Sequence, residues 1–281
     1  MKPGLKKAIE FGSVSLITLG LLGGYLWKHR AERDQSGDWI LDIGAGVKMR
    51  LIPVESLKLG VGKYEVTNKQ FRRFMPSHQS GVHENTDDLN GDEQPVANVS
   101  WKEAKAFCEW LTQKYGTVNG SRYRYRLPTE EEWIAFATCG TGSTYPWGDA
   151  GHPPDTWNYY GTENSMPGPK LDQTDGFPVS CPVRKSGNNA WRLYGVGGNV
   201  WEWCEDACDG GRLCKGASWA DYAPLFLQTE RRSSHAPDNK SVNVGFRVVA
   251  EEAVAAVPAK KGASEPAAKE KSAETAAKTE E

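Results

Sequence analysis

The sequence has no excess of either charge sign: 34 Lys and Arg stand against 36 Asp and Glu in 281 residues. That excludes the broad basic footprint of a nucleic-acid-binding chain. Histidine is scarce, and the five that exist are scattered, so a His-rich iron centre has no ligand set to draw on. No Ser-His-Asp order, glycine-rich phosphate loop or paired-carboxylate motif stands out, and nothing repeats at a fixed period. Between residues 140 and 240 the chain also lacks any sustained helix or strand period. It runs there in short aromatic segments split by Gly, Pro, Asn and Asp. So long an irregular stretch needs more than hydrogen-bonded ladders to hold it. Metal ions, disulfides and buried tryptophans are the candidates.

What is abundant fits that picture. Eleven tryptophans and 30 glycines predict a loop-rich domain pinned by large aromatic anchors. Residues 1–10 are a basic segment, and Phe11 to Trp27 is uncharged and followed by Lys28, His29, Arg30 and Arg33. At ~1.5 Å per residue this stretch is near the lower limit for spanning a hydrocarbon core of ~30 Å. A cleaved signal peptide is the rival reading, but no small-x-small cleavage site follows the apolar core, and Tyr25 and Trp27 suit an interfacial anchor. The expectation is therefore a transmembrane anchor over 11–27, a polar linker over 28–38, a globular domain over 39–250 and a disordered Ala/Lys/Glu-rich tail over 251–281. Six cysteines, Cys108, Cys139, Cys181, Cys204, Cys208 and Cys214, fit an oxidising compartment, with buried free thiols as the alternative. Together these features predict an N-in, C-out orientation with the domain outside the cytoplasm, periplasmic or extracellular.

Three helix starts are readable. Thr67-Asn68-Lys69-Gln70, Ser100-Trp101-Lys102-Glu103 and Thr129-Glu130-Glu131-Glu132 are capping boxes, in which a hydroxyl accepts from the first turn and the Glu or Gln reaches back. Pro128 ends a predicted strand over Tyr123–Leu127, and the domain is expected to close on a strand from Val244 to Ala250. Cys204, Cys208 and Cys214 form a Cys-x3-Cys-x5-Cys cluster. Zinc has no histidine nearby for a fourth ligand, so a local disulfide, Cys208–Cys214 or Cys204–Cys214, is expected instead.

Several segments in order carry a resemblance. They are Arg126-Leu127-Pro128-Thr129-Glu130-Glu131-Glu132-Trp133, Gly197-Gly198-Asn199-Val200-Trp201-Glu202-Trp203, Lys215-Gly216-Ala217-Ser218-Trp219 and Gly245-Phe246-Arg247-Val248-Val249. With Tyr64-Glu65-Val66-Thr67-Asn68 upstream, the chain resembles the formylglycine-generating enzyme, or sulfatase-modifying factor, family over roughly residues 47–250. The resemblance implies an α+β, C-type-lectin-like fold, loop-rich, with two main helices and small antiparallel sheets. The Gly-x-Phe-x-Met-Gly hairpin usual in the family is missing or shortened to Val54–Gly62.

The resemblance also implies sites. One calcium site would use Asn158, the Tyr159 carbonyl, Asp175 and the Phe177 carbonyl; the alternative is a metal-free network of Asx-turns. A second would use the Gly198 and Val200 carbonyls and Glu202, but its usual Asn or Asp falls on Gly195, which has no side chain. In the alternative reading Trp201 and Trp203 are core anchors and Glu202 pairs with an arginine. Active members carry two copper-binding cysteines after the Gly-x-Ser-aromatic segment. Here Asp221 takes the first position and Ala220–Gln228 holds no cysteine. A carboxylate is a hard ligand and cannot replace a Cu(I)-binding thiolate, so copper-dependent formylglycine synthesis is not expected. Ser218, Trp219 and Asp221 would line what remains of the groove. The expected function is a membrane-anchored, non-catalytic binding or scaffold module for a protein partner, such as an accessory subunit of a membrane complex. The alternatives are a diverged oxidase or maturation factor for exported proteins, and a variable ligand-binding receptor of the same fold.

Overall fold

A computed structural model describes residues 33–84, 87–118, 120–164 and 167–253. The predicted anchor and nearly all of the tail lie outside these residues. Among the described residues no helix is long and apolar enough to cross a membrane.

Strand outweighs helix. β1 (Trp39–Asp42), β2 (Lys48–Val54), β3 (Leu59–Gly62), β12 (Val249–Glu252), β7 (Ser121–Arg126) and β6 (Thr117–Val118) form, in that spatial order, a fully antiparallel sheet. The second sheet runs β10 (Ser233–His235), β9 (Gly211–Lys215), β8 (Trp201–Cys208) and β11 (Val244–Gly245). Its β8–β11 pairing is parallel, so the expectation of small, purely antiparallel sheets needs correcting. β4 (Val82–His83) and β5 (Asp87–Asp88) make a separate ribbon.

The expected last strand, Val244 to Ala250, is in fact two strands in different sheets. Arg247, between them, turns inward to the Glu202 carboxylate, and this pulls the chain from one sheet to the other. The hairpin expected to be missing or shortened to Val54–Gly62 is formed by β2 and β3, with Leu51 facing Gly62 and Val54 facing Leu59.

All three capping boxes form, with Thr67, Ser100 and Thr129 each accepting from the backbone N–H of the third helical residue. They open α1 (Asn68–Phe71), α2 (Trp101–Tyr115) and α3 (Glu130–Ala137); a fourth short helix, α4, covers Pro224–Leu227. The first is a single turn. In α2, Ala104, Phe107, Cys108 and Leu111 recur at helical spacing and are buried. Phe107 packs on Phe71 and Phe246, with ring centroids 5.5 Å away in each case, and so joins the two helices to the segment between β11 and β12. Buried aromatic area of this kind contributes about 1.5–3 kcal/mol per side chain.

The irregular stretch before β8 is held largely by asparagine side chains. Asn189 donates to the Phe136 and Ala137 carbonyls at the end of α3 (2.8 and 3.1 Å), and Asn158 donates to the Val179 carbonyl (2.9 Å). Asn199 accepts from the Cys181 N–H and donates to Glu65. Stacking of Tyr145 on Trp147 at 4.8 Å adds an aromatic clamp. No disulfide takes part: all six cysteines are free, so the expected Cys204–Cys208–Cys214 staple is corrected. The β8–β9 register explains why Cys208 and Cys214 stay apart. Cys208 lies opposite Gly211 at the hairpin end, whereas Cys214 lies opposite Trp203. Cys204 and Cys214 are buried thiols whose ionisation is pushed well up by burial.

Candidate functional site

Three clusters hold the side chains singled out from the sequence. The first is built around Glu202 on β8, fully buried, with Oε2 accepting from Trp133 Nε1 at 2.8 Å and both oxygens accepting from Arg247. Arg247 is also fully buried and donates further to the Gly62 carbonyl (3.0 Å) and the Tyr194 carbonyl (2.8 Å). Burial alone would make its proton easier to lose; the Glu202 charge outweighs this and holds the guanidinium above its usual range. Trp203 is a core anchor, with Nε1 donating to the Val99 carbonyl at 2.9 Å.

Gly195 belongs to the same cluster. Its φ is +60°, and a Cβ added there would lie 2.1 Å from Glu65 Oε1. The space that an Asn or Asp side chain would start from is therefore taken by Glu65, whose Oε1 accepts from Asn199 at 2.9 Å. Burial, opposed by Arg247 and reinforced by Glu202, pushes the Glu65 carboxyl up to about 8. Sequence reading quoted Glu65 only as part of a motif. Its role depends on a contact with a residue 134 positions away, to which no local signal points.

The second cluster lies in the irregular segment. Asn158 is fully buried, and its Oδ1 has no hydrogen-bond partner. Asp175 Oδ1 accepts from the Phe177 N–H two residues on, an Asx-turn at 2.8 Å, but its buried Oδ2 has no partner. Burial, with the Glu163 charge adding and the Phe177 and Tyr159 N–H groups opposing, pushes the Asp175 carboxyl up to about 7. Native structures rarely leave buried polar atoms unanswered. An amide oxygen beside a buried carboxylate is a donor set that suits a hard, oxygen-seeking cation. The Asn158 carbonyl accepts from Asn199 N–H at 2.8 Å, tying this cluster to the first. Gly198 is fixed by the same contact: φ is +77°, and a Cβ there would sit 2.2 Å from the Asn158 carbonyl oxygen.

The third cluster gathers the residues expected to line a groove, of which Ser218 and Trp219 are buried. Asp221 Oδ2 accepts from Trp201 Nε1 (2.9 Å), the Ser218 N–H (2.9 Å) and Ser218 Oγ (2.7 Å). Burial raises its carboxyl above the usual range, and the Ser218 and Trp201 hydrogen bonds oppose that. Trp219 is buried against Leu89 and Val179, with the His83 ring 4.7 Å away at a steep angle. The β4–β5 ribbon thus packs over Trp219 through His83. Beyond Asp221 the chain turns outward, leaving Leu225 57% and Tyr222 36% exposed.

These geometries coincide with a family match. Residues 50–252 match the sulfatase-modifying factor enzyme 1-like domain. The chain belongs to that family. It is 33% identical over 231 residues to the inactive C-alpha-formylglycine-generating enzyme 2 of Mus musculus, covering 78% of this chain and 67% of that protein. It is 30% identical over 175 residues to the formylglycine-generating enzyme of Streptomyces coelicolor, covering 54% of this chain and 51% of that one. The chain therefore spans half to two thirds of these relatives. Among solved structures, Treponema denticola variable protein 1 shares the fold, with a TM-score of 0.58, 21% identity, and coverage of 75% of this chain and 98% of that one. Sulfatase-modifying-factor-like domains thus include an active and an inactive relative of this chain, and the site residues must decide between them.

Proposed function

We propose that this chain is a non-catalytic member of the sulfatase-modifying factor family that binds a protein partner through the face where active members would hold copper. The observation that carries this is Asp221. At the place the resemblance gives to the first copper-binding cysteine stands a carboxylate, and its Oδ2 is committed to Trp201 and Ser218. No cysteine lies between 220 and 228 to supply a thiolate pair. The similarity to an inactive relative supports the same reading.

The exposed Tyr222 and Leu225 give the face apolar anchors of the kind that bury well in a protein interface. An N-terminal membrane anchor over 11–27 and a place as accessory subunit of an extracytoplasmic membrane complex complete the proposal. Calcium is part of it too. Asn158 and Asp175, with the Tyr159 and Phe177 carbonyls, would hold the ion. When bound it would neutralise Asp175 and fix the irregular segment next to the groove.

Cu(I) competition against a strong chelator under reducing conditions, with a thiol peptide present, tests the non-catalytic reading. Copper is expected to stay with the chelator and the peptide to remain reduced; stoichiometric binding with peptide oxidation would overturn it. Mild detergent extraction followed by size analysis tests the partner. A higher-order species that Leu225→Ser dissociates is expected, and a monomer at every concentration counts against it.

A further inference from the structure

Glu163 lies outside every site that the sequence singled out. Both of its carboxylate oxygens are buried and neither has a hydrogen-bond partner. It takes part in no ion pair among the described residues, although Lys170 lies nearby in the chain. That ammonium instead donates to the Asn164 carbonyl and lies 5.8 Å from the Tyr160 ring centroid. An isolated buried carboxylate is expensive, and proteins normally answer it with a cation or a set of donors.

Its position indicates what the answer is. The Glu163 side chain folds back over Gly161, where an added Cβ would meet its oxygens at 2.7 and 2.9 Å and the Gln173 carbonyl at 2.4 Å. Residues 160–162 run beside 171–173, with Leu171 N–H donating to Tyr160 O and Thr162 N–H to Gln173 O. This pairing brings Glu163 up to the segment that carries Asp175, two residues beyond Gln173. Asn158 Oδ1, Asp175 Oδ2 and the two Glu163 oxygens are thus four buried, unanswered side-chain oxygens in one stretch of 18 residues.

We propose that Glu163 is a second carboxylate ligand of the calcium site at Asn158 and Asp175, closing it from the Gly161 side. The inference rests on the calcium reading given above and deepens it. Calcium takes about six to eight oxygens. Asn158 Oδ1, Asp175 Oδ2 and the Tyr159 and Phe177 carbonyls would supply four, and a bidentate Glu163 brings the set to six. The charge balance points the same way, since one carboxylate leaves a dication half neutralised and two cancel it.

Calorimetric calcium titration of the chelator-stripped full chain, alongside Glu163→Gln and Asp175→Asn, tests this. Melting temperature in chelator serves as the fold control. The wild type is expected to bind one calcium ion, Glu163→Gln to bind it about tenfold or more weakly with a chelator-state melting temperature no lower than the wild type's, and Asp175→Asn not to bind. Equal affinity of wild type and Glu163→Gln, with binding lost in Asp175→Asn, overturns the role of Glu163 and leaves the calcium site standing. Absence of calcium binding in the wild type overturns both.

Discussion

The Glu202–Arg247 cluster and the Asn158–Asp175–Glu163 cluster are both buried, both built on carboxylates and linked through Asn199. In the first, every oxygen of Glu202 is answered by a guanidinium or an indole N–H, and the Arg247 donors reach carboxylate and two carbonyls. In the second, Asn158 Oδ1, Asp175 Oδ2 and both Glu163 oxygens are buried without a hydrogen-bond partner. Buried charge tolerates the first arrangement because the chain itself supplies the counter-charge; in the calcium proposal the second would take its counter-charge from a cation outside the chain. The first cluster thus links the two sheets through Arg247, which reaches Glu202 on β8 and the Gly62 carbonyl on β3; in the proposal, the second would make the neighbouring loop depend on an ion.

The sharpest way to break that contrast is to remove the internal counter-charge. Arg247→Met leaves Glu202 buried and unpaired and is expected to cost about 3–5 kcal/mol, read as a lower urea midpoint or loss of a cooperative transition. The double variant Glu202→Gln/Arg247→Met should recover part of the loss. Removing the external cation should cost less. At calcium about 100-fold above its dissociation constant, chelation is expected to withdraw about 2.7 kcal/mol, seen as a drop in melting temperature that is absent in Asp175→Asn.

Glu65 gives a third contrast, in pH. Its folded carboxyl titrates near 8 against an ordinary value of 4.5, so between those values the folded state holds a proton that the unfolded state has released. Stability associated with Glu65 is therefore full below pH 4.5 and declines as pH rises toward 8. Glu65→Gln is expected to flatten that part of the stability–pH curve, measured by urea unfolding across the window. The smallest effect belongs to the surface. Leu225→Ser should change stability by no more than about 0.5 kcal/mol, while abolishing capture of the partner by a photo-crosslinker placed at Tyr222.

The sequence carried local structure well. Each capping box became a helix start, because a cap needs only four consecutive residues. The burial of Ala104, Phe107 and Leu111 followed from their spacing. A Glu in this motif can pair with an arginine, but no local signal points to Arg247, 45 residues on. What stayed hidden was non-local. Glu65 filling the space beside Gly195, and β12 inserting between β3 and β7, depend on chain segments brought together only by the complete fold. Glu163 had a different reason to be missed. A single Glu in a polar loop reads as solvated, and only the close approach of Gly161 to the 171–173 segment removes its water.

The position of β12 has a consequence for how the molecule comes into being. This strand, the last in the described chain, occupies an interior place in the six-stranded sheet, with Val249 opposite both Val61 and Arg126. Until it emerges from the ribosome, β3 and β7 each present an unsatisfied edge, and the nascent domain exists as two open half-sheets with sticky borders. Closure of the sheet is thus a long-range event that waits for the end of the domain, the kind of pairing that slows folding and exposes open edges to misassociation.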